Sequence, residues 1–470
     1  MTSHASGFLP LLRSPTGWKA ALVFALTLTA ALSAWALLPE GMRIPATLVV
    51  FCVSLWATSL IAEYWPALAF FVVAMIAKIA PPEVVFSGFQ SSPFWLLFGG
   101  MVLGASIRHT GLGKRIALML HQVLGNGYQG MVAGIVVFGI ALAFVLPSSM
   151  GRVVLLLPIV AALADQVGFK DGSNGKTGML IAATFGTFLP GFSILPANAP
   201  NMVLAGMTET ILNTQLGYWD YLILNFPILG SLKGAVLIGL VLKLFPDQLP
   251  QQINDSDYAP TIRLTFSEKH LMLVLLSCLG LWLTDSIHHI SPGWIGLAAA
   301  LYCLMPVSRL TSPKCLNEDI QYGALFFAAG IMGVGALISH IGMGHLFVGG
   351  METVAGFSTE TPVWNLFGLT LMSSITGALT NLPGIPVLIT PMAEHLAELT
   401  GLSITAVLMT QVAAFANVFL PYQAPPLVLA IQVGKLPIAT VSRVCLYLFA
   451  IGWLVLIPLD FLWWWALGLI

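Results

Sequence analysis

The chain has 470 residues, of which 58% are hydrophobic and only 8% charged, with a mean hydropathy of +0.92, whereas an ordinary soluble domain carries about 25% charged residues. Its 18 Lys and Arg against 19 Asp and Glu give a formal charge of -1, so no basic field exists to recruit nucleic acid. This is the composition of an all-α integral membrane protein, and nucleic-acid binding is excluded as its main task.

About 20 apolar residues are needed for a helix to cross a bilayer. In chain order the candidate spans are Trp18 to Leu38, Ile44 to Ala62, Trp65 to Ala80 and Phe94 to Ile107. Tyr128 to Val145 and Val153 to Gly168 come next, separated by the helix-hostile stretch Leu146-Pro147-Ser148-Ser149-Met150-Gly151-Arg152. Thr177 to Leu212, Tyr218 to Leu244, His270 to Ile287, Gly293 to Met305 and Tyr322 to His340 follow. Val363 to Leu379 and Ile385 to Leu399 flank Thr380-Asn381-Leu382-Pro383-Gly384, and Ile404 to Val433 and Ile438 to Leu467 complete the series. Both flanked pairs are expected to be re-entrant hairpins. Two spans are interrupted, at Pro196-Ala197-Asn198-Ala199-Pro200-Asn201 and at Pro421-Tyr422-Gln423-Ala424-Pro425-Pro426.

If the hairpins return to their own side, eleven helices cross, with the N-terminus cytoplasmic and the C-terminus external. Lys and Arg concentrate in short cytoplasmic loops. Fourteen of the 18 then lie on or beside the cytoplasmic side: Arg13, Lys19, Arg108, Lys114, Arg115, Lys170, Lys176, Lys243, Arg263, Lys269, Arg309, Lys314, Lys435 and Arg443. Only Arg43 lies in an outside loop. The other reading of the first apolar run, followed by Ala34-Trp35-Ala36, is a cleaved signal peptide, which moves no other loop. Cys52, Cys278, Cys303, Cys315 and Cys445 are scattered singly and read as small core hydrophobes.

The chain also matches itself at an offset near 231. Gly99, Met101, Gly104, Ala105, Ile107, His109, Gly111 and Gly113 equal Gly330, Met332, Gly335, Ala336, Ile338, His340, Gly342 and Gly344. The hairpins share Leu146/Leu379, Gly151/Gly384, Pro158/Pro391 and Gly168/Gly401, and the broken spans share Pro196/Pro421, Ala199/Ala424 and Pro200/Pro425. The first block ends inside at Arg108 and outside at His340, which predicts an inverted repeat, a recurring transporter architecture. The expected organisation is an N-terminal helix over 1–43, a first repeat over 44–245 with an inner hairpin at 129–168 and a broken helix at 177–212, and a cytoplasmic linker over 246–269. The second repeat covers 270–470, with an outer hairpin at 363–400, a broken helix at 404–433 and a last helix at 438–467.

Non-helical backbone at membrane depth must line a cavity or be buried in protein, because an unpaired N–H or C=O in hydrocarbon costs several kcal/mol. Two tips and two breaks, paired by the repeat, point to one shared site near the midplane. Helix N-termini there offer N–H groups to an anion and helix C-termini offer carbonyls to a cation.

Trp56-Ala57-Thr58-Ser59-Leu60-Ile61-Ala62-Glu63, Phe86-Ser87-Gly88-Phe89 before Phe94-Trp95-Leu96-Leu97-Phe98-Gly99-Gly100, and Thr110-Gly111-Leu112-Gly113-Lys114-Arg115-Ile116-Ala117 resemble the divalent anion/sodium symporter family over nearly the whole chain. The resemblance implies a homodimer of elevator-type transporters in the cell inner membrane, carrying dicarboxylates, citrate or sulfate with Na+ as coupling ion, and using a Ser-Asn-Thr motif in each tip. Carried onto this sequence, it implies substrate contacts from Ser148, Ser149, Arg152, Asn198, Thr380, Asn381, Ala424 and Pro425. It implies sodium contacts from Thr376, Leu379, Asn381 and Gln423 in one half and from Ser148, Ser149 and Ala197 in the other. The motifs depart from the pattern at Ser148-Ser149-Met150 and at Thr380-Asn381-Leu382. A hard cation wants several oxygen ligands, so the first sodium site is expected to be impoverished and the second largely intact.

Arg152 is the sharpest single residue, since a charge inside an embedded segment is costly and guanidinium matches a carboxylate or sulfate with two prongs. It is read as holding substrate or replacing a sodium ion; pairing with Asp165 or Glu63, or reaching for water, are the structural alternatives. Asn381 has the alternative of a plain turn residue, and Ser148 and Ser149 of helix caps. His109 and His340 are expected at helix ends, Trp463-Trp464-Trp465 as an interfacial anchor, and Lys233 to pair or snorkel without a role. An intramembrane enzyme would need paired carboxylates, H-E-x-x-H or a Ser/His pair at depth, and none is present. A channel, and a sodium-independent exchanger or proton-coupled carrier, remain alternatives.

Overall fold

The computed structural model describes residues 15–58, 60–112, 127–249, 264–342 and 356–470. Arg13, Gly113, Lys114, Arg115, Arg263 and Gly344, and residues 250–263 of the expected linker, lie outside the described residues. Every regular element among the described residues is helical. The first half contains α1 (Pro15–Leu37), α2 (Glu40–Thr58), α3 (Tyr64–Ile76), α4 (Ser92–Thr110), α5 (Tyr128–Val145), α6 (Ser149–Gln166), α7 (Asn174–Phe188) and α8 (Ala199–Leu212), then α9 (Tyr218–Leu244). The second contains α10 (Phe266–Leu283), α11 (Pro292–Leu304), α12 (Tyr322–His340), α13 (Pro362–Leu379), α14 (Gly384–Ile389), α15 (Ala393–Thr400), α16 (Ile404–Phe415) and α17 (Pro425–Val433), then α18 (Ile438–Ala466).

By length and composition, eight of these, namely α1, α2, α5, α6, α9, α10, α12 and α18, can cross a membrane. Large apolar side chains such as Phe24, Leu32 and Trp35 point outward from α1, and the outer surfaces of α10 and α18 do the same. In water such a surface would aggregate; in lipid it is the expected exterior. All five cysteines are unpaired and buried.

Residues matched by the internal repeat take matching conformations. Gly111 and Gly342 follow α4 and α12 with φ of 80° and 70°, and Gly168 and Gly401 follow the hairpins with φ of 90° and 70°, a left-handed region that glycine enters without steric cost. His109 and His340 lie at the ends of α4 and α12. Ser173 and Ser403 both cap the first half of a broken span, accepting the N–H of Lys176 and Ala406 at 3.2 Å each. Where α4 crosses α11, a Cβ on Gly99 would lie 2.6 Å from the Gly296 carbonyl oxygen, so only glycine permits that approach.

The Trp463-Trp464-Trp465 run differs from expectation. Trp463 and Trp464 donate their indole N–H groups to the Ile223 and Leu224 carbonyls of α9 at 2.9 and 3.0 Å. Trp464 is 0% exposed and Trp465 69%, because α18 lays one face against α9 and only its other face is free.

Candidate functional site

The first tip is shorter than its sequence suggested. Ser148 Oγ accepts the Gly151 N–H at 3.1 Å, and this cap starts α6 at Ser149, four residues ahead of Val153. Arg152 therefore stands in the first turn of a helix with its side chain directed inward. At the second tip Asn381 Oδ1 accepts the Gly384 N–H at 2.9 Å, so two residues matched by the repeat cap two matched glycines. Thr380 Oγ1 lies 2.7 Å from the Thr376 carbonyl oxygen and 3.1 Å from that of Asn381.

The breaks lie where the prolines put them. After α7 the backbone winds through tight turns over residues 189–197, and Asn198 Oδ1 accepts the Asn201 N–H at 3.1 Å to begin α8. Asn201 closes the unwound segment by donating Nδ2 to the Gly191 and Ile194 carbonyls, both at 2.9 Å. In the second break, Gln423 Oε1 accepts the N–H groups of Phe419 and Leu420 at 2.9 and 2.8 Å, so its side-chain oxygen is already engaged. Tyr422 donates its hydroxyl to the Ala378 carbonyl at 2.6 Å and ties this break to the second tip.

Arg152 joins the first tip to the first break. It is 0% exposed, so its side chain does not reach out to the surface. Nε donates to the Thr187 carbonyl at 2.8 Å and Nη1 to the Ala197 carbonyl at 2.9 Å and to the Leu146 carbonyl. Nη2 donates to Ser149 Oγ at 3.0 Å, and a Cβ on Gly191 would fall 2.5 Å from Nη2. Neither Asp165 nor Glu63 is a partner: Asp165 accepts from Lys176 on the far end of the hairpin. A guanidinium ringed by backbone carbonyls and a hydroxyl has the ligand set of a hard cation. A sodium ion at this tip would share oxygen ligands with a fixed like charge, which repels it.

Ser148, Ser149, Arg152, Ala197 and Asn198 thus form one cluster, and Thr376, Leu379, Thr380, Asn381 and Tyr422 a second. Leu379 is 72% exposed, and with an apolar side chain it has only its carbonyl to offer as a ligand. The halves interlock: α6 packs on α17, and α8 packs on α14, so each hairpin leans on the other half's broken span. Ala424 is buried, and Pro425 opens α17. Two buried polar atoms in the first break, Asn198 Nδ2 and Asn201 Oδ1, have no hydrogen-bond partner. Sequence reading named Asn198 and the broken segment but missed Thr187 and Asn201 individually; membership of a Pro-Asn break was the one available signal for Asn201, and a backbone carbonyl such as that of Thr187 leaves none. Among the described residues no three His, Cys, Asp or Glu side chains gather to hold a metal ion.

Comparison with known proteins identifies relatives of this arrangement. A family model described as the sodium:sulfate symporter transmembrane region matches residues 16–470. A membrane protein of Cupriavidus necator is 23% identical over 328 residues, and an L-tartrate/succinate antiporter of Escherichia coli K12 is 25% identical over 278. The first match covers 64% of each chain and the second 54%, so this chain spans less than two thirds of either relative's length. The fold is shared with the YdaH transporter of Alcanivorax borkumensis, at a TM-score of 0.54 and 14% identity, with 92% of this chain and 99% of that one covered. MtrF of Neisseria gonorrhoeae gives 0.53 and 12%, with coverage of 87% and 96%.

Proposed function

The chain belongs to the sodium:sulfate symporter family, and from that membership we propose that it exchanges small dicarboxylates across the cell inner membrane, with Arg152 standing where a coupling cation binds in the first half. It is a multi-pass membrane transporter and not an enzyme. The observation that carries the proposal is the Arg152 guanidinium held by the carbonyls of Leu146, Thr187 and Ala197 and by the Ser149 hydroxyl. A permanent positive charge there attracts the anion without any ion having to bind first. The names of relatives matched over about half of the chain, L-tartrate/succinate antiporters, support dicarboxylate exchange over sulfate symport.

In this reading the anion lies between the two tips. Ser148, Ser149 and Asn198 face it from the first half, and Thr380, Asn381 and the backbone at Ala424 and Pro425 from the second. Helices α8 and α17 begin at the breaks, so their positive dipole ends favour the carboxylates. Any sodium ion carried is confined to the second tip, at Thr376, Asn381 and the carbonyls of Leu379 and Gln423. Hairpins and broken spans move as one elevator block against α1 to α4 and α10 to α12, within a homodimer of inverted-repeat subunits with eleven crossings.

Exchange in proteoliposomes tests this, with labelled succinate, tartrate, citrate or sulfate outside and unlabelled anion inside. Dicarboxylate exchange that persists without sodium is expected. Strict dependence on a sodium gradient, with a Hill coefficient clearly above that of one site, would overturn it.

A further inference from the structure

Arg152 and Lys233 are the only buried Lys or Arg side chains among the described residues, and the anion site uses just the first. Lys233 is 2% exposed in the middle of α9. It donates Nζ to the Ala416 carbonyl and lies 3.5 Å from Asn417 Oδ1. Those residues are the first two after α16, where the second broken span comes undone. Asn417 is itself fixed, donating to the Phe449 carbonyl at 3.3 Å and pressed against Gly452, where a Cβ would fall 2.1 Å from its Oδ1. Asp460 on α18 is 0% exposed, and both its carboxyl oxygens lack any hydrogen-bond partner.

A carboxylate buried without donors is among the costliest groups a protein interior can hold, and a proton removes that cost. Asp460 interacts electrostatically with Lys233 without bonding to it. Each residue follows a π-helical turn, at 226–232 before Lys233 and at 452–456 before Asp460; such turns are rare and concentrate at functional positions.

We propose that Asp460 and Lys233 form a proton-binding site that couples proton uptake to anion transport. The proton leaves a hydronium ion, whose O–H bond breaks to release water, and forms an O–H bond at a lone pair of an Asp460 oxygen, so the pair goes from net zero to net +1. With Asp460 ionised, its carboxylate competes with the Ala416 carbonyl for the Lys233 ammonium. With Asp460 protonated, the ammonium belongs to the C-terminal end of α16, where a cation is favoured by the helix dipole. Proton occupancy thereby decides how firmly the break beside the anion is held, and a dianion that travels with the proton moves less net charge.

The surroundings leave few competitors. α18 adds the Cys445 thiol near Lys233, while its Arg443 and Tyr447 are exposed. α9 itself brings Tyr221, bonded to the Phe192 carbonyl, buried Tyr218 and exposed Asp220. The one charge on α7 is Lys176, engaged by Asp165 and Asp171, and α5 and α16 carry none.

The inference rests on the carrier reading, and two measurements separate their failures. Infrared spectra of the full-length protein in detergent, with no anion present, should show a protonated-carboxyl band that titrates with pH and vanishes in Asp460→Asn. Vesicles of phosphatidylethanolamine and phosphatidylglycerol, sodium-free and carrying trapped pyranine, should accumulate succinate under an inward proton gradient and acidify as they do so. Asp460→Asn should drop both responses to the level of empty vesicles while keeping exchange at equal pH, and Asp460→Glu should restore them. A band that does not titrate, or an Asp460→Asn protein that still accumulates succinate on a proton gradient, overturns the proposal. Absence of exchange at equal pH in the parent protein, with the band titrating as expected, overturns the carrier reading and leaves the proton site standing.

Discussion

Arg152 and Ala197, 45 residues apart in sequence, are joined directly through Nη1 and a backbone carbonyl at 2.9 Å. The bond crosses from the first hairpin to the unwound segment of the first broken span. Binding at one is therefore felt at the other.

Replacing Arg152 tests whether its charge or its hydrogen bonds matter most. Arg152→Ala leaves the Leu146, Thr187 and Ala197 carbonyls without this donor, and each unsatisfied buried group costs about 1–3 kcal/mol, so a large fall in thermal midpoint is expected along with loss of exchange. Arg152→Lys keeps the charge but not the planar fork and should retain part of both. Sodium should raise the midpoint of Arg152→Ala more than that of the parent, since the freed carbonyls then accept an additional ion. An equal sodium effect on the two proteins would remove the cation-substitute role.

Gly191→Ala reaches the same guanidinium from the other side. The added Cβ lies 2.5 Å from Nη2 in the present geometry, closer than real contacts allow, so Arg152 must shift. Exchange should fall in parallel with Arg152→Lys while overall helicity by circular dichroism stays unchanged. Normal exchange kinetics in Gly191→Ala would mean that the position of Arg152 is unimportant.

Asn381→Ala removes the cap on Gly384 and the amide at the second tip. The cap alone is worth about 1 kcal/mol, too little to unfold the protein, yet exchange should be abolished. Ser148→Ala, which removes the matching cap at the first tip, should cost similar stability. Near-normal uptake by well-folded Asn381→Ala would defeat the site assignment.

The seam between α8 and its neighbours makes a further test. Glu209 accepts the Ser92 hydroxyl at 2.7 Å and its N–H at 3.2 Å, and Ser92 Oγ lies 2.6 Å from Ser291 Oγ. The elevator stroke proposed above would have to break this contact. Glu209→Gln should weaken it by about 1–2 kcal/mol, a factor of about 5–30 in the population of this state, which cysteine labelling rates at Ser149 can report. Unchanged labelling would argue that α8 does not slide past α4.

The sequence alone determined the membrane class and the places where helices stop, at residues 146–148, 380–383, 189–198 and 416–424, because each rests on local rules. Apolar run length sets which segments can span a bilayer, clustered Pro, as at Pro196 and Pro200 or Pro421, Pro425 and Pro426, interrupts a helix, and a Ser or Asn three residues before a free N–H caps a helix within its own turn. The internal match of Gly151 with Gly384 carried that local logic into both halves. What held Arg152 was beyond reach: its partners at Thr187 and Ala197 are backbone carbonyls, identical at every residue and 35 and 45 positions away. Lys233 was assigned no role for the same reason, since its carbonyl partner at Ala416 is 183 residues distant and Asp460 comes close only when α18 lies along α9. Folding of the chain decides which carbonyl meets which cation, because desolvation makes the buried charge take whatever oxygen the packing delivers.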